Sequence, residues 1–223
     1  MCIGVLPLSS VGKNHIPITA KAYQQPLIRA HSQAVADICF DPFDRHRLFS
    51  CSGDALVKLW RVPEQGYVQD ENTPVISVST SRGVPLKGIV AHPSASGLFA
   101  VRGNKDVFLM DLEAGREIGT SAANAFSADI SFASWSFSGH VLTVTAKDKL
   151  LKLLDFRSNR DLCVSSVAAH GGTRPSRAAW LGDSPYLATT GHNAAIEREV
   201  CWSIDILDIF INLMYLMYKI FIY

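Results

Sequence analysis

No two of the five cysteines, at positions 2, 39, 51, 163 and 201, stand at Cys-x-x-Cys spacing, and the count is odd. Structural zinc needs clustered Cys or His ligands, and secreted scaffolds pair their cysteines densely, so both classes are disfavoured. Cys39, Cys51 and Cys201 fall in apolar runs, which reads as reduced, buried thiols of a cytosolic chain with no metal or cofactor. Charge of one sign is scarce too: 21 Lys and Arg against 20 Asp and Glu leave a formal net charge of +1. Global attraction to nucleic acid or to acidic membranes is therefore not expected. The opening MCIGVLPLSS lacks a basic leader and a small-residue cleavage signal, and Cys2, not Gly, follows the initiator. It makes a poor signal peptide and no myristoylation site.

Two catalytic signatures are missing as well. SSVGKNH (9–15) has a Gly-Lys pair without P-loop spacing, so it reads as a turn. SCSGD (50–54) is no Gly-x-Ser-x-Gly elbow and brings no oxyanion hole, so a hydrolase built on Ser52, Asp54 and the upstream His31 is disfavoured.

Short runs rich in Val, Ile, Phe, Leu and Thr fill the chain, separated by Gly, Pro, Ser, Asn and Asp. AVADICF (34–40), HRLFSC (46–51), ALVKLW (55–60), PVISVS (74–79), DVFLMDL (106–112), ISFASWS (130–136) and HVLTVTA (140–146) each have the length of a strand. With 223 residues, 48% of them hydrophobic, the chain can hold one large or two small all-β domains. The runs also repeat. ADICFDP (36–42) is echoed by KGIVAHP (87–93), and more loosely by ISFASWSFSG (130–139) and SRAAWLGD (176–183). Each is followed by a strand, a tight polar turn and another strand: SGDALVKLW, GNKDVFLMDL, AKDKLLKLLD and GHNAAIEREVCW. A period of roughly 45 to 50 residues is that of a four-stranded propeller blade.

In the first repeat, His31, Ser52, Asp54 and Trp60 have the spacing of a WD-repeat blade's internal brace. The turn Asp accepts from the His, the His reaches a hydroxyl, and the Trp indole closes the chain. Such a network must be satisfied throughout, and it then fixes the turn. The third repeat keeps Asp148 but has Ala146 for the Ser and Leu154 for the Trp, and Trp60 and Trp202 are followed by Arg61 and Ser203 instead of Asp. The repeats are diverged.

These residues resemble the coronins. VADICFDPFDRHRLFSCSGDALVKLWRVPEQG (35–66) is similar to the family's second blade, and GIVAHPSASGLFAVRGNKDVFLMDLEAG (88–115) to the third. AKDKLLKLLDFRSN (146–159) is similar to the fourth, and HGGTRPSRAAW (170–180) with TTGHNAAIEREVCW (189–202) to the fifth. The opening GVLPLSSVGKNHIPI resembles the long, tandem-propeller branch, also called POD. The resemblance implies a non-enzymatic, actin-binding scaffold, in the cytoplasm with the cytoskeleton or at Golgi or vesicle membranes. Actin filaments and other cytoskeletal or trafficking proteins would be its partners, with nucleic acid excluded. A truncated or membrane-anchored propeller fragment that acts as a protein-interaction module without actin binding is the alternative.

The fold class expected is all-β, a partial WD-repeat β-propeller of four-stranded antiparallel blades with a hydrophobic C-terminal tail. Residues 1–202 would supply the end of one blade and about four more, where family propellers have seven. A ring left open in this way exposes its end faces unless partners cover them. The family's basic actin-contacting residue lies in a first-blade segment without counterpart here. A derived candidate is a basic face of Lys105, Lys147, Lys149, Arg174 and Arg177, carried on second-to-third strand turns and blade connections. Actin is acidic.

Residues 203–223, SIDILDIFINLMYLMYKIFIY, contain no Ala, Gly, Pro or Arg. Leu207 to Tyr223 reaches the short end of the ~17–25 residues that span a bilayer, so a membrane helix is one reading. A blade-completing strand is another. The preferred one is sequence foreign to the repeats, such as translation into an intron, because the tail begins where a blade should have been completed.

Overall fold

A computed structural model describes residues 2–4, 26–64, 66–121, 125–157, 163–172 and 174–205. The expectations for most of GVLPLSSVGKNHIPI, for the tail beyond Asp205 and for the Cys163 and Trp202 side chains lie outside the described residues. Among the described residues every regular element is a strand, and no helix is long and apolar enough to cross a membrane.

The chain divides into two compact units, one of residues 1–91 and 96–119 and one of residues 92–95 and 120–223. The first holds two four-stranded antiparallel meanders: β3 (Val35–Phe40), β4 (Arg47–Ser52), β5 (Leu56–Arg61) and β6 (Ile76–Ser79), then β7 (Gly88–Ala91), β8 (Leu98–Arg102), β9 (Val107–Asp111) and β10 (Arg116–Thr120). A small pair, β1 (Ile3–Gly4) with β2 (Leu27–Ile28), accompanies them. The second unit holds the meander β11 (Ile130–Trp135), β12 (Leu142–Ala146), β13 (Leu150–Leu154) and β14 (Cys163–Ala168). It also holds a three-stranded sheet of β15 (Arg177–Trp180), β16 (Tyr186–His192) and β17 (Arg198–Asp205). The four-stranded antiparallel blades expected from the sequence are the architecture found. The boundary at 202 needs correcting: β17 continues to Asp205, because Leu187 pairs Ile204 and Tyr186 pairs Asp205.

The burial pattern explains why the blades read poorly as simple alternation. In β4 every residue from Leu48 to Ser52 is buried, since both faces of the sheet are covered. Phe49 and Cys51 point to one face, where Val57, Leu59 and Val78 join Phe99, Val101, Phe108 and Met110 of the next sheet in one core. The rings of Phe49 and Phe99 lie 4.0 Å apart. Leu48 and Trp60 point to the other face and pack with Ile3, Ile28 and Val62. The second unit has its own core of Val141, Leu151, Leu153, Ala178 and Leu187. Each Val, Leu, Ile, Phe or Met side chain among them, fully buried, contributes about 1.5–3 kcal/mol.

Two of the turns between second and third strands, β4–β5 and β12–β13, share one backbone device. Ala55 and Lys149, each following the turn Asp, have φ of 66° and 68°, with Ala55 N–H donating to Ser52 and Lys149 N–H to Ala146. This is a three-residue hairpin loop ending in a left-handed residue.

Candidate functional site

The first-repeat turn assembles His31, Asp54, Ser50 and Trp60. His31 Nδ1 lies 3.0 Å from both Asp54 oxygens, and its Nε2 lies 2.8 Å from Ser50 Oγ. Trp60 Nε1 donates to the same hydroxyl at 2.9 Å. The backbone N–H groups of Ser32 and Leu56 donate to Asp54 at 3.2 Å each, tying the carboxylate to both chain segments. A carboxylate only accepts, so the ring proton sits on Nδ1 and Nε2 accepts from Ser50.

The hydroxyl at the junction is Ser50, not Ser52 as the sequence spacing suggested. In the β4–β5 register Trp60 faces Leu48. Ser50 is one diagonal step away on the same face, about 7 Å along the strand, whereas Ser52 is about 14 Å away. Ser52 instead donates to the Ala34 carbonyl at 2.8 Å and accepts weakly from Asp54 N–H at 3.3 Å.

Burial holds the His31 pKa below its ordinary value of 6.5 in spite of Asp54, so the ring is neutral near pH 7. Burial pushes Asp54 upward, but His31 and the two backbone donors pull harder and leave its carboxyl below the usual range. Ser50 is fully buried and already engaged by two partners, so no substrate can reach its oxygen. The cluster braces a turn.

The next two repeats fill the turn position differently: Asp106 is met by Arg82, and Asp148 by Ser127 Oγ at 2.7 Å. In the last sheet a strand residue, Glu199, meets His170 Nδ1 at 3.3 Å. Asp148 still caps its own turn, accepting from Leu150 N–H at 3.1 Å as Asp54 does from Leu56.

A second set of polar side chains was not singled out in the sequence. Asp41, His92 and Ser136 follow the first strand of three successive repeats, and all are buried. Each accepts from the loop after it: Asp41 from Phe43 N–H at 2.9 Å, His92 Nδ1 from Ala95 N–H at 3.0 Å, and Ser136 from Val141 N–H at 3.2 Å. His92 Nε2–H donates to the Gly139 carbonyl at 2.9 Å, so this ring carries its proton on the opposite nitrogen to His31. Burial lowers its pKa as well. The aligned motifs FDP, AHP and WSF carried this signal.

The candidate basic residues are all exposed. Lys105 belongs to the first unit, in the turn between β8 and β9, and the other four to the second. Lys147 pairs with Asp129 at 3.4 Å, and Arg177 lies over the Phe132 ring at 5.6 Å. Cys51 is buried, and burial pushes its thiol up to about 12. Cys201 was expected to be buried too, but it is exposed, on β17 at the edge of the three-stranded sheet.

Antiparallel meanders whose second-to-third strand turn is locked by a buried His–Asp–Ser–Trp network are WD-repeat blades. The WD40 family (WD domain, G-beta repeat) matches residues 23–61, the segment that contains that network. The relatives found among known proteins are coronins. The chain is 31% identical to the Saccharomyces cerevisiae coronin-like protein over 88% of its own length, and 30% identical to Homo sapiens Coronin-7 over 89%. The WD40 domain of Toxoplasma gondii coronin superposes with a TM-score of 0.73 at 26% identity, covering 80% of this chain and 46% of that one. The chain is thus a coronin homologue, spanning 30% of the yeast relative's length and 20% of human Coronin-7's. Identities of 31% and 30% do not separate the branches of the family.

Proposed function

We propose that this chain is a non-enzymatic, coronin-like scaffold that binds actin filaments and organises the cytoskeleton in the cytoplasm. By the same resemblance it serves Golgi-related membrane traffic if the tandem-propeller branch is its own. Coronin homology is the ground for the partner, and one hydrogen bond supports a surface for it. Thr145 Oγ donates to the Ser176 carbonyl at 2.8 Å, tying the end of β12 to the segment that enters β15. Lys147 and Lys149 follow β12, and Arg174 and Arg177 flank Ser176, so four exposed cations share one end of the second unit. Asp129 and Asp148 offset part of that charge. An excess of cations steers an acidic filament and sets register more than it sets affinity.

Reversing Lys147, Lys149, Arg174 and Arg177 to Glu should cut filament co-sedimentation several-fold and flatten its salt dependence. Unchanged pelleting overturns the assignment of this face. Lys105→Glu tests the first unit's turn separately. Pelleting that is absent from the unaltered chain favours the alternative, an interaction module for other proteins.

A further inference from the structure

The three-stranded sheet of the second unit gathers a set of donors that hydrogen bonding does not account for. Glu199 and Cys201 are two residues apart on β17, so both side chains leave the same face of the strand. His170 comes from the connection between β14 and β15 and lies against them. One donor atom from each residue falls within 4.8 Å of the other two.

The imidazole is held from behind. Gly191 pairs with Glu199 across β16 and β17, and a Cβ there would sit 2.4 Å from His170 Cγ and Cδ2. The missing side chain makes room for the ring, whose own side chain is only 3% exposed. Buried structural histidines engage both nitrogens, as His31 and His92 do. His170 does not. Its Nε2 is buried without a partner, and its Nδ1 meets Glu199 at 3.3 Å. That is long for a charge-assisted hydrogen bond, which runs to about 2.7–2.9 Å. Two ligands of one tetrahedral ion at about 2.0–2.1 Å are about 3.3–3.4 Å apart, so Nδ1 is the ligand nitrogen and Nε2 keeps the ring proton.

We propose that His170, Glu199 and Cys201 bind a divalent ion of the zinc class. Thiolate and carboxylate together balance the double charge, and a sulfur–nitrogen–oxygen set disfavours the hard ions magnesium and calcium. Bringing sulfur to its place in such a site requires it about 3.5 Å from the nitrogen, a shift that rotation of the exposed Cys201 side chain supplies. The thiol proton passes to solvent on binding. Three protein ligands with one side open leave the fourth position to water or to a donor from a partner.

The test uses the full chain, reduced, titrated with Zn²⁺ by calorimetry and with Co²⁺ by absorption. One equivalent should bind, and the cobalt form should show thiolate-to-metal charge transfer. The band should persist in Cys2→Ser, which removes the other exposed thiol found among the described residues, and vanish in Cys201→Ser. Zinc affinity should fall at least about tenfold in Cys201→Ser and in Glu199→Gln, since even outer-shell changes cost ~10–100-fold. A readout that needs no variant is alkylation of Cys201 followed by mass spectrometry, which Zn²⁺ should slow. A cobalt spectrum unchanged in Cys201→Ser, or equal alkylation rates with and without zinc, overturns the site and leaves a His–Glu brace only.

Discussion

His31 and His170 each precede the first strand of a sheet and each meets a carboxylate, Asp54 at 3.0 Å and Glu199 at 3.3 Å. Around His31 the carboxylate lies in the turn, takes two backbone N–H bonds, and leaves the far ring nitrogen to Ser50, which Trp60 also engages. Around His170 the carboxylate lies on a strand, the far nitrogen has no partner, and an exposed thiol stands beside it. One ring is enclosed by a satisfied network and can only stabilise. The other holds its carboxylate at a longer distance beside a thiol, and all three donors can turn to one ion. A fully paired Ser–His–Asp set inside a blade is thus evidence against chemistry, and an underpaired histidine is where chemistry or metal remains available.

The largest effect should come from the closing member of the satisfied network. Trp60→Ala removes a fully buried indole and should destabilise the chain by about 3–5 kcal/mol in denaturant unfolding. Replacing the two histidines alike sharpens the comparison: His31→Gln should cost about 1–3 kcal/mol, His170→Gln in metal-free buffer less than about 1 kcal/mol. Equal losses would mean that the two turns are braced alike.

Acid should weaken the buried histidines' contribution. Buried neutral His31 and His92 have folded pKa values below 6.5, so as pH falls through 6.5 the unfolded chain takes up protons first and stability drops. The stabilisation is present above 6.5 and is lost below it. Asp54, also depressed, adds a second loss as pH falls below 3.8. Thermal melts between pH 7.5 and about 5 should show this slope, reduced in His31→Gln and in His92→Gln. The smallest effect is Lys149→Gly, which relieves a left-handed side chain and should raise stability by less than about 1 kcal/mol.

Much of this was legible in the chain. Runs such as HRLFSC and HVLTVTA mark β4 and β12 to within two residues, because strand composition and polar turns alternate sharply there. The meeting of His31 with Asp54 follows from a turn position that the repeats preserve. The choice between Ser50 and Ser52 did not follow, since both lie on one face of β4 and only the register with β5 decides which meets Trp60. The cluster at His170 was hidden for a related reason. Glu199 and Cys201 are brought to a histidine 29 residues away from Glu199 by the pairing of β16 with β17, and by a glycine whose role shows only when the ring lies over it. Asp41, His92 and Ser136 were overlooked because three different residue types do one job, and spacing instead of identity carries the repeat.

The most direct measurement compares unfolding free energies of Ser50→Ala and Ser52→Ala in the full chain. Loss of the Ser50 hydroxyl strands the Trp60 N–H and the His31 Nε2 in the interior, which should cost about 1–3 kcal/mol, while Ser52→Ala gives up one bond to a backbone carbonyl and a weak one from Asp54 N–H and should cost about 1 kcal/mol or less. A larger loss for Ser52→Ala than for Ser50→Ala would contradict the account.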